Sequence, residues 1–308
     1  MKLLILDGNS VINRAFYGVR LLTTREGLFT NAVYGFLNIL EKMEKEEQPE
    51  AIAVAFDLHG PTFRHLKYSG YKAKRKGMPE ELAVQLPYIK KIIEYMGITI
   101  LEKEGYEADD IIGTISDICR RSNAECFIST GDRDSFQLVN EKVTVRLAKT
   151  KGDVLYTPEI IMEEYGVTPK QMIEVKALMG DTSDNIPGVM GIGEKTALTL
   201  IKDFGSVDGV YENIESDKIK KAVLTLPFLI SFFLFSYANI VYKYTLWNAL
   251  EHMQAPFHPK RDNFLHQKMS TSSFLPAQYA HPYEIDPKYS KSVAYFCMEY
   301  AIDNVFKI

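Results

Sequence analysis

Acidic residues are packed closely at three places in this sequence: GYEADD over residues 105–110, GDRD over 131–134 and GDTSD over 180–184. Two more stand alone, Asp7 directly after the apolar run KLLIL and Asp57 directly after AIAVAF. Together Asp7, Asp57, Glu107, Asp109, Asp110, Asp132, Asp134, Asp181 and Asp184 make nine carboxylates. Like charges brought to one crevice destabilise it strongly unless a cation sits among them. Oxygen ligands without His or Cys select a hard ion, Mg²⁺ with Mn²⁺ as a substitute. A group this large suits two ions, and two divalent ions about 4 Å apart activate water and stabilise a leaving oxygen in phosphodiester hydrolysis. Each acid also has an ordinary reading by itself: Asp109 as a helix cap, GDRD as a turn, Asp181 as solvated surface. Their joint occurrence favours the metal reading.

The elements that must position these groups follow from periodicity. KLLIL (2–6), AIAVAF (51–56) and CFIST (126–130) read as buried strands, each leading into an aspartate. Helical spacing of apolar residues predicts helices over 31–46 and 82–96. Such alternation implies an α/β fold with a mostly parallel central sheet flanked by helices, and ligands then bind at the carboxyl ends of the strands. GYEADD opens a helix, and the spacing of Asp181 and Asp184 places them on one face of a helical turn. From about residue 158 helices separated by Gly and Pro turns take over.

Two further stretches bear on phosphate. Arg64 to Lys76 holds six Lys or Arg among thirteen residues, with two tyrosines and no acid. A solvated face is the usual fate of such a run, but its place directly after Asp57 favours a phosphate-gripping element with stacking surfaces. IPGVMGIGEKT (186–196) departs from a P-loop because Glu194 precedes Lys195 and Thr196 and no strand leads into it. A glycine turn at a helix N-terminus still offers backbone N–H groups to phosphate without reading bases.

Composition limits the alternatives. The chain has 308 residues, 46% hydrophobic and 25% charged, as in a soluble globular protein. A net charge of −4 argues against a generally basic nucleic-acid binder but leaves room for local patches. Three cysteines without a CxxC pair fit a reducing compartment, and MKLLILDGN reads as a buried strand and not as a secretory signal.

Taken together, LLILDGN, VAFD, FRH…YKAKRKGMPEEL, EGYEADDIIGT, STGDRDSFQLV, LMGDTSDNIPGVMGIGEKTA and DFGSVDGVYENI resemble the 5′-nuclease (flap endonuclease) family over roughly residues 1–222. The likeness is strongest to the N-terminal 5′→3′ exonuclease domains of bacterial DNA polymerases I. It implies a PIN-like nuclease core over 1–157 and a helical duplex-binding subdomain over 158–222 built on a helix–three-turn–helix. It implies that Asp7, Asp57, Glu107, Asp109 and Asp110 hold one metal, and that Asp132, Asp134, Asp181 and Asp184 hold or orient the second. Lys72 and Arg75 would lie on a helical arch and contact the scissile phosphate, with Arg14 and Arg64 nearby. Gly188, Gly191, Gly193, Lys195 and Thr196 would grip duplex DNA, with K⁺ a further candidate ion at that turn. Met190 stands where the family usually has a second proline.

The implied substrate is DNA with a 5′ flap or a 5′ end at a duplex junction, hydrolysed in replication and repair. No small-molecule cofactor is expected, and polymerase activity would come from another domain or protein. A PIN-like ribonuclease and a non-catalytic DNA-binding remnant are the alternatives. The remainder, 223–308, reads as an appended tail. Its uncharged run 224–242 has the length of a membrane span but contains Pro227, Ser231, Ser236 and Asn239. Residues 269–308 resemble the extreme N-terminus of a bacterial α-glucan phosphorylase, ending before that family's cofactor-binding parts. A cytoplasmic, nucleoid-associated protein is expected, and a membrane tether through 224–242 is not favoured.

Overall fold

A computed structural model describes residues 1–149 and 152–213. The chain runs β1 (Lys2–Asp7), α1 (Gly8–Gly18), α2 (Asn31–Glu47), β2 (Ala51–Ala55), α3 (Phe63–Lys67), α4 (Glu80–Ala83), α5 (Leu86–Tyr95) and β3 (Thr99–Leu101). It continues through α6 (Ala108–Arg121), β4 (Glu125–Thr130), a 3-10 turn (Arg133–Leu138), β5 (Val143–Lys149), β6 (Gly152–Tyr156) and α7 (Pro158–Tyr165). Then come α8 (Gln171–Met179), β7 (Gly180–Asp181), β8 (Ile186–Pro187), α9 (Glu194–Phe204) and α10 (Val207–Glu212).

The main sheet has the order β3-β2-β1-β4-β5-β6, parallel except for β6. The fold is therefore the mostly parallel, helix-flanked PIN-like sheet. The apolar runs are continuous because both faces are covered: Leu3 and Ile5 point to one core, Leu4 and Leu6 to the other. The first core extends without a break from the sheet through α6 to α8, α9 and α10. The second packs α1, α2 and α5 on the opposite face.

The chain leaves β1 toward β2 and β3, then returns to place β4 on the other side of β1. That reversal opens a crevice at the carboxyl ends of β1 and β4, the place where open α/β sheets bind ligands. Asp7 ends β1, Asp57 follows β2 and Asp132 follows β4, so three acids far apart in sequence share one edge.

Local structure departs from the periodicity in three places. The helix expected over 82–96 is interrupted, with Val84 and Gln85 between α4 and α5, where Pro87 occupies the start of α5. Gln85 is wholly buried; its amide nitrogen donates to Asn31 at 3.0 Å and its oxygen accepts from the Ala32 N–H at 2.8 Å. The helical arch is not formed as helix: α3 has five residues and α4 four, and Lys72 and Arg75 lie in turns between them. Asp181 and Asp184 do not share a helical turn. Asp181 closes β7, and its carboxylate accepts from the Ser183 N–H at 2.7 Å and the Asp184 N–H at 3.2 Å. A short polar side chain that bonds backbone two residues on competes with helix, and here it wins.

The β7–β8 ribbon explains one of the glycines. A Cβ on Gly188 would lie 2.2 Å from the Met179 carbonyl carbon, whereas a Cβ on Gly193 would meet open space. Gly188→Ala should therefore lower stability by about 3 kcal/mol through overpacking, and chemical denaturation reads that loss. Gly193→Ala meets no steric barrier and should cost well under the Gly188 change, only the few tenths of a kcal/mol to about 1 kcal/mol of a poorer N-cap on α9, so weakening of duplex binding beyond that loss reports on DNA contact. An equal denaturation midpoint for Gly188→Ala and wild type would refute the close packing.

Candidate metal centre

Three helix starts aim at the crevice. Asp7 caps α1, accepting from the Ser10 N–H at 3.0 Å, and its other oxygen accepts from the Thr130 hydroxyl at 2.8 Å. Asp132 caps the 3-10 turn, accepting from the Asp134 N–H at 2.9 Å. Asp57 accepts from the Asn9 amide at 2.6 Å and from the Ala108 N–H, in the first turn of α6, at 2.7 Å. Helix N-termini carry partial positive charge, which steadies anionic side chains without neutralising them.

At the start of α6 three acids within four residues diverge. Glu107 is the cap, and Asp110 closes the capping box by accepting from the Glu107 N–H at 2.9 Å. Asp110 then turns inward, where Arg64 donates to it through both terminal nitrogens at 2.7 Å. Glu107 accepts from the Tyr71 hydroxyl at 2.9 Å and pairs with Lys72 Nζ at 2.9 Å. Only Asp109 faces the open side. Successive helix positions point about 100° apart, so neighbouring acids cannot all reach one ion.

The cavity so formed has a volume of about 630 Å³. Seven of the nine predicted carboxylates line it: Asp7, Asp57, Asp109, Asp132, Asp134, Asp181 and Asp184. Lys72 and Arg75 line it too. Glu107 and Asp110 do not; Asp110 instead accepts a buried bidentate guanidinium from Arg64. Arg64 is 8% exposed, has its guanidinium on Asp110 and Glu107, and lies outside the cavity lining. Arg14 lies outside the cavity and pairs with Asp153 at 2.6 Å. Gly188, Gly191, Gly193, Lys195 and Thr196 also lie outside it, on the approach to α9 and in its first turn.

Lys176 is the residue that sequence reasoning missed. From the last turn of α8 its Nζ reaches Asp134 at 2.7 Å and Asp181 at 2.9 Å. The available signal was a lone cation in the otherwise apolar run VKALM (175–179).

Electrostatics divide the cavity. Burial, opposed by the Ser10 and Thr130 hydrogen bonds, raises the Asp7 carboxyl to about 6. Asp109 is exposed to the cavity. Desolvation by the protein around it, followed by the charges of Asp7, Asp132 and Asp57, raises its carboxyl above the usual range. Asp134 is raised to about 6 by burial and by Asp132, against the pull of Lys176. Asp181 goes the other way: burial is outweighed by hydrogen bonds from Ser183 and Lys176, which hold it well below the usual range. A divalent ion would remove the like-charge strain on Asp7 and Asp109, and the all-oxygen donor set suits a hard cation. Among the described residues no three acidic, His or Cys side chains close to a ready ion shell.

A carboxylate-edged switch point on an open, mostly parallel sheet is the arrangement of the PIN-like α/β class. The chain belongs to the 5′–3′ exonuclease family: residues 2–166 match its N-terminal resolvase-like domain and residues 167–226 its C-terminal SAM-fold domain. It is 46% identical to DNA polymerase I of Caldicellulosiruptor bescii over 72% of this chain and 26% of that one. To DNA polymerase I of Bacillus subtilis it is 47% identical, over 71% and 25% respectively. It thus spans about a quarter of the length of these curated relatives. The fold is also that of the bacteriophage T5 flap endonuclease, solved as a pseudo-enzyme-product complex with DNA and metal ions. That match has a TM-score of 0.63 at 23% identity and covers 80% of this chain and 91% of that one. The tail expectations, the run 224–242 and the phosphorylase-like segment 269–308, lie outside the described residues. Among the described residues no helix is long and apolar enough to cross a membrane.

Proposed function

We propose that this chain hydrolyses DNA phosphodiesters at a 5′ end or 5′ flap beside a duplex, with Mg²⁺ as the working ion and Mn²⁺ able to replace it. The observation that carries the reading is one half of the cavity. Asp7, Asp57, Asp109 and Asp132 converge there from separate segments, and the hydrogen-bond donors they meet are neutral. Mg²⁺ held there would supply Lewis-acid stabilisation of phosphate oxygens and an activated water.

The chain's own groups do the rest. Asn9, Thr130 and the N-termini of α1 and α6 hold the acids in place. Lys72 and Arg75 stand on the cavity wall, where a scissile phosphate would take them from Glu107 and Asp184. The turn before α9 would take backbone phosphates of the uncut duplex on its N–H groups and on Lys195 and Thr196, with K⁺ at its carbonyls as part of the same reading. A cytoplasmic place beside the nucleoid, in replication and repair, follows from such a substrate.

The test is cleavage of a labelled 5′-flap DNA by the full chain with Mg²⁺, with EDTA, and with Mn²⁺ added back, beside the same flap in RNA. The DNA should be cut at the junction in Mg²⁺ and Mn²⁺ but not in EDTA, and the RNA flap should be cut far more slowly. Faster cutting of RNA would make this a ribonuclease, and binding without cleavage in either ion would make it a DNA-binding remnant.

A further inference from the structure

The cavity is electrostatically lopsided. Asp7, Asp57 and Asp132 accept hydrogen bonds from neutral donors, while elsewhere in the cavity Lys176 Nζ sits between Asp134 at 2.7 Å and Asp181 at 2.9 Å. Lys176 is held for this place. Its stem leaves the final turn of α8, where the helix carbonyls favour a cation, and its side chain is only 21% exposed. An ammonium bridging two carboxylates does part of what a divalent ion would do there. An ion binding those two acids must therefore push the ammonium aside, whereas an ion on the other wall displaces no cation.

We propose that Lys176 is an internal counter-cation that orders metal loading, so that one ion binds without DNA and the second binds only once a substrate phosphate adds negative charge. This rests on the nuclease reading above and deepens it. Lys176 acts through Asp134 and Asp181, which makes it a positioning residue. The arrangement keeps the second half of the site from capturing a tightly held ion before substrate arrives, yet leaves both carboxylates preformed.

Counting bound Mn²⁺ by electron paramagnetic resonance on the full chain without DNA tests this independently of activity. Wild type should bind one ion per chain. Lys176→Met, close in shape but uncharged, should bind two, its second site tightened about tenfold or more by loss of a competing charge within 3 Å. Lys176→Arg should behave as wild type. Circular dichroism confirms that the variants are folded. If Lys176→Met does not fold, the wild-type count decides: one ion supports the ordering, and two sites of equal affinity overturn it. Two equal sites in wild type, or a single site in a folded Lys176→Met, refute the role of Lys176 while leaving the nuclease reading intact. No bound ion at all would refute both.

Discussion

Asp109→Ala is expected to stop cleavage while leaving DNA binding intact or slightly stronger. Of the three acids at the start of α6 it is the one that lines the cavity, beside Asp7, Asp57 and Asp132. Metal Lewis acidity is worth several kcal/mol in such reactions, and with tenfold in rate for each ~1.4 kcal/mol the single-turnover rate should fall about a thousandfold or more. Removing a negative charge near the phosphate path should not weaken binding. The neighbouring Asp110→Ala serves as the contrast. It strands a buried guanidinium, Arg64, and a broken buried pair costs about 3–5 kcal/mol, so the loss should appear in urea denaturation before it appears in chemistry. Wild-type single-turnover cleavage by Asp109→Ala would sink the metal assignment. A fully stable but inactive Asp110→Ala would place Asp110 in the ligand set.

Arg75→Ala and Lys72→Ala should each slow the chemical step by about a hundred- to a thousandfold, with only a modest change in affinity, because a donor aimed at developing charge in a sheltered site contributes about 2.7–4 kcal/mol. Both side chains line the cavity, and both rest on carboxylates, Lys72 on Glu107 at 2.9 Å and Arg75 on Asp184 at 2.6 Å. The segment that carries them is pinned to the turn between β7 and β8. The Lys72 N–H donates to the Asp184 carbonyl at 2.9 Å, the Tyr68 hydroxyl to the Asn185 carbonyl at 3.1 Å, and the Asn185 amide to the Gly70 carbonyl at 2.8 Å. The cations are thus aimed at the cavity by backbone contacts without a long arch helix. Single-turnover rates at saturating enzyme separate the roles. If these variants change only the half-saturating enzyme concentration, the two residues position DNA and take no part in the chemistry.

The division between what is legible in the sequence and what is not follows physical range. KLLIL, AIAVAF and CFIST are strands because continuous β-branched and aliphatic runs suit a sheet covered on both faces, and that is a property of a few adjacent residues. The acids that end them were likewise readable, since in a parallel sheet such positions share one edge. The resemblance carried the family and the division of these acids between two ions, with Asp132, Asp134, Asp181 and Asp184 assigned to the second. Which acids face the cavity was not readable. GYEADD offers three, and the choice was made by a capping box together with Arg64, a partner 46 residues away. The Asp181–Asp184 spacing suggested a helix, but an Asp side chain bonding its own following backbone made a turn instead. Lys176 gains its meaning only where α8 packs against the 3-10 turn and brings Asp134 within reach. Local sequence determines elements and the composition of the edge. Which charge meets which is decided by contacts between segments far apart in the chain, and those exist only once the sheet has closed its order around β1.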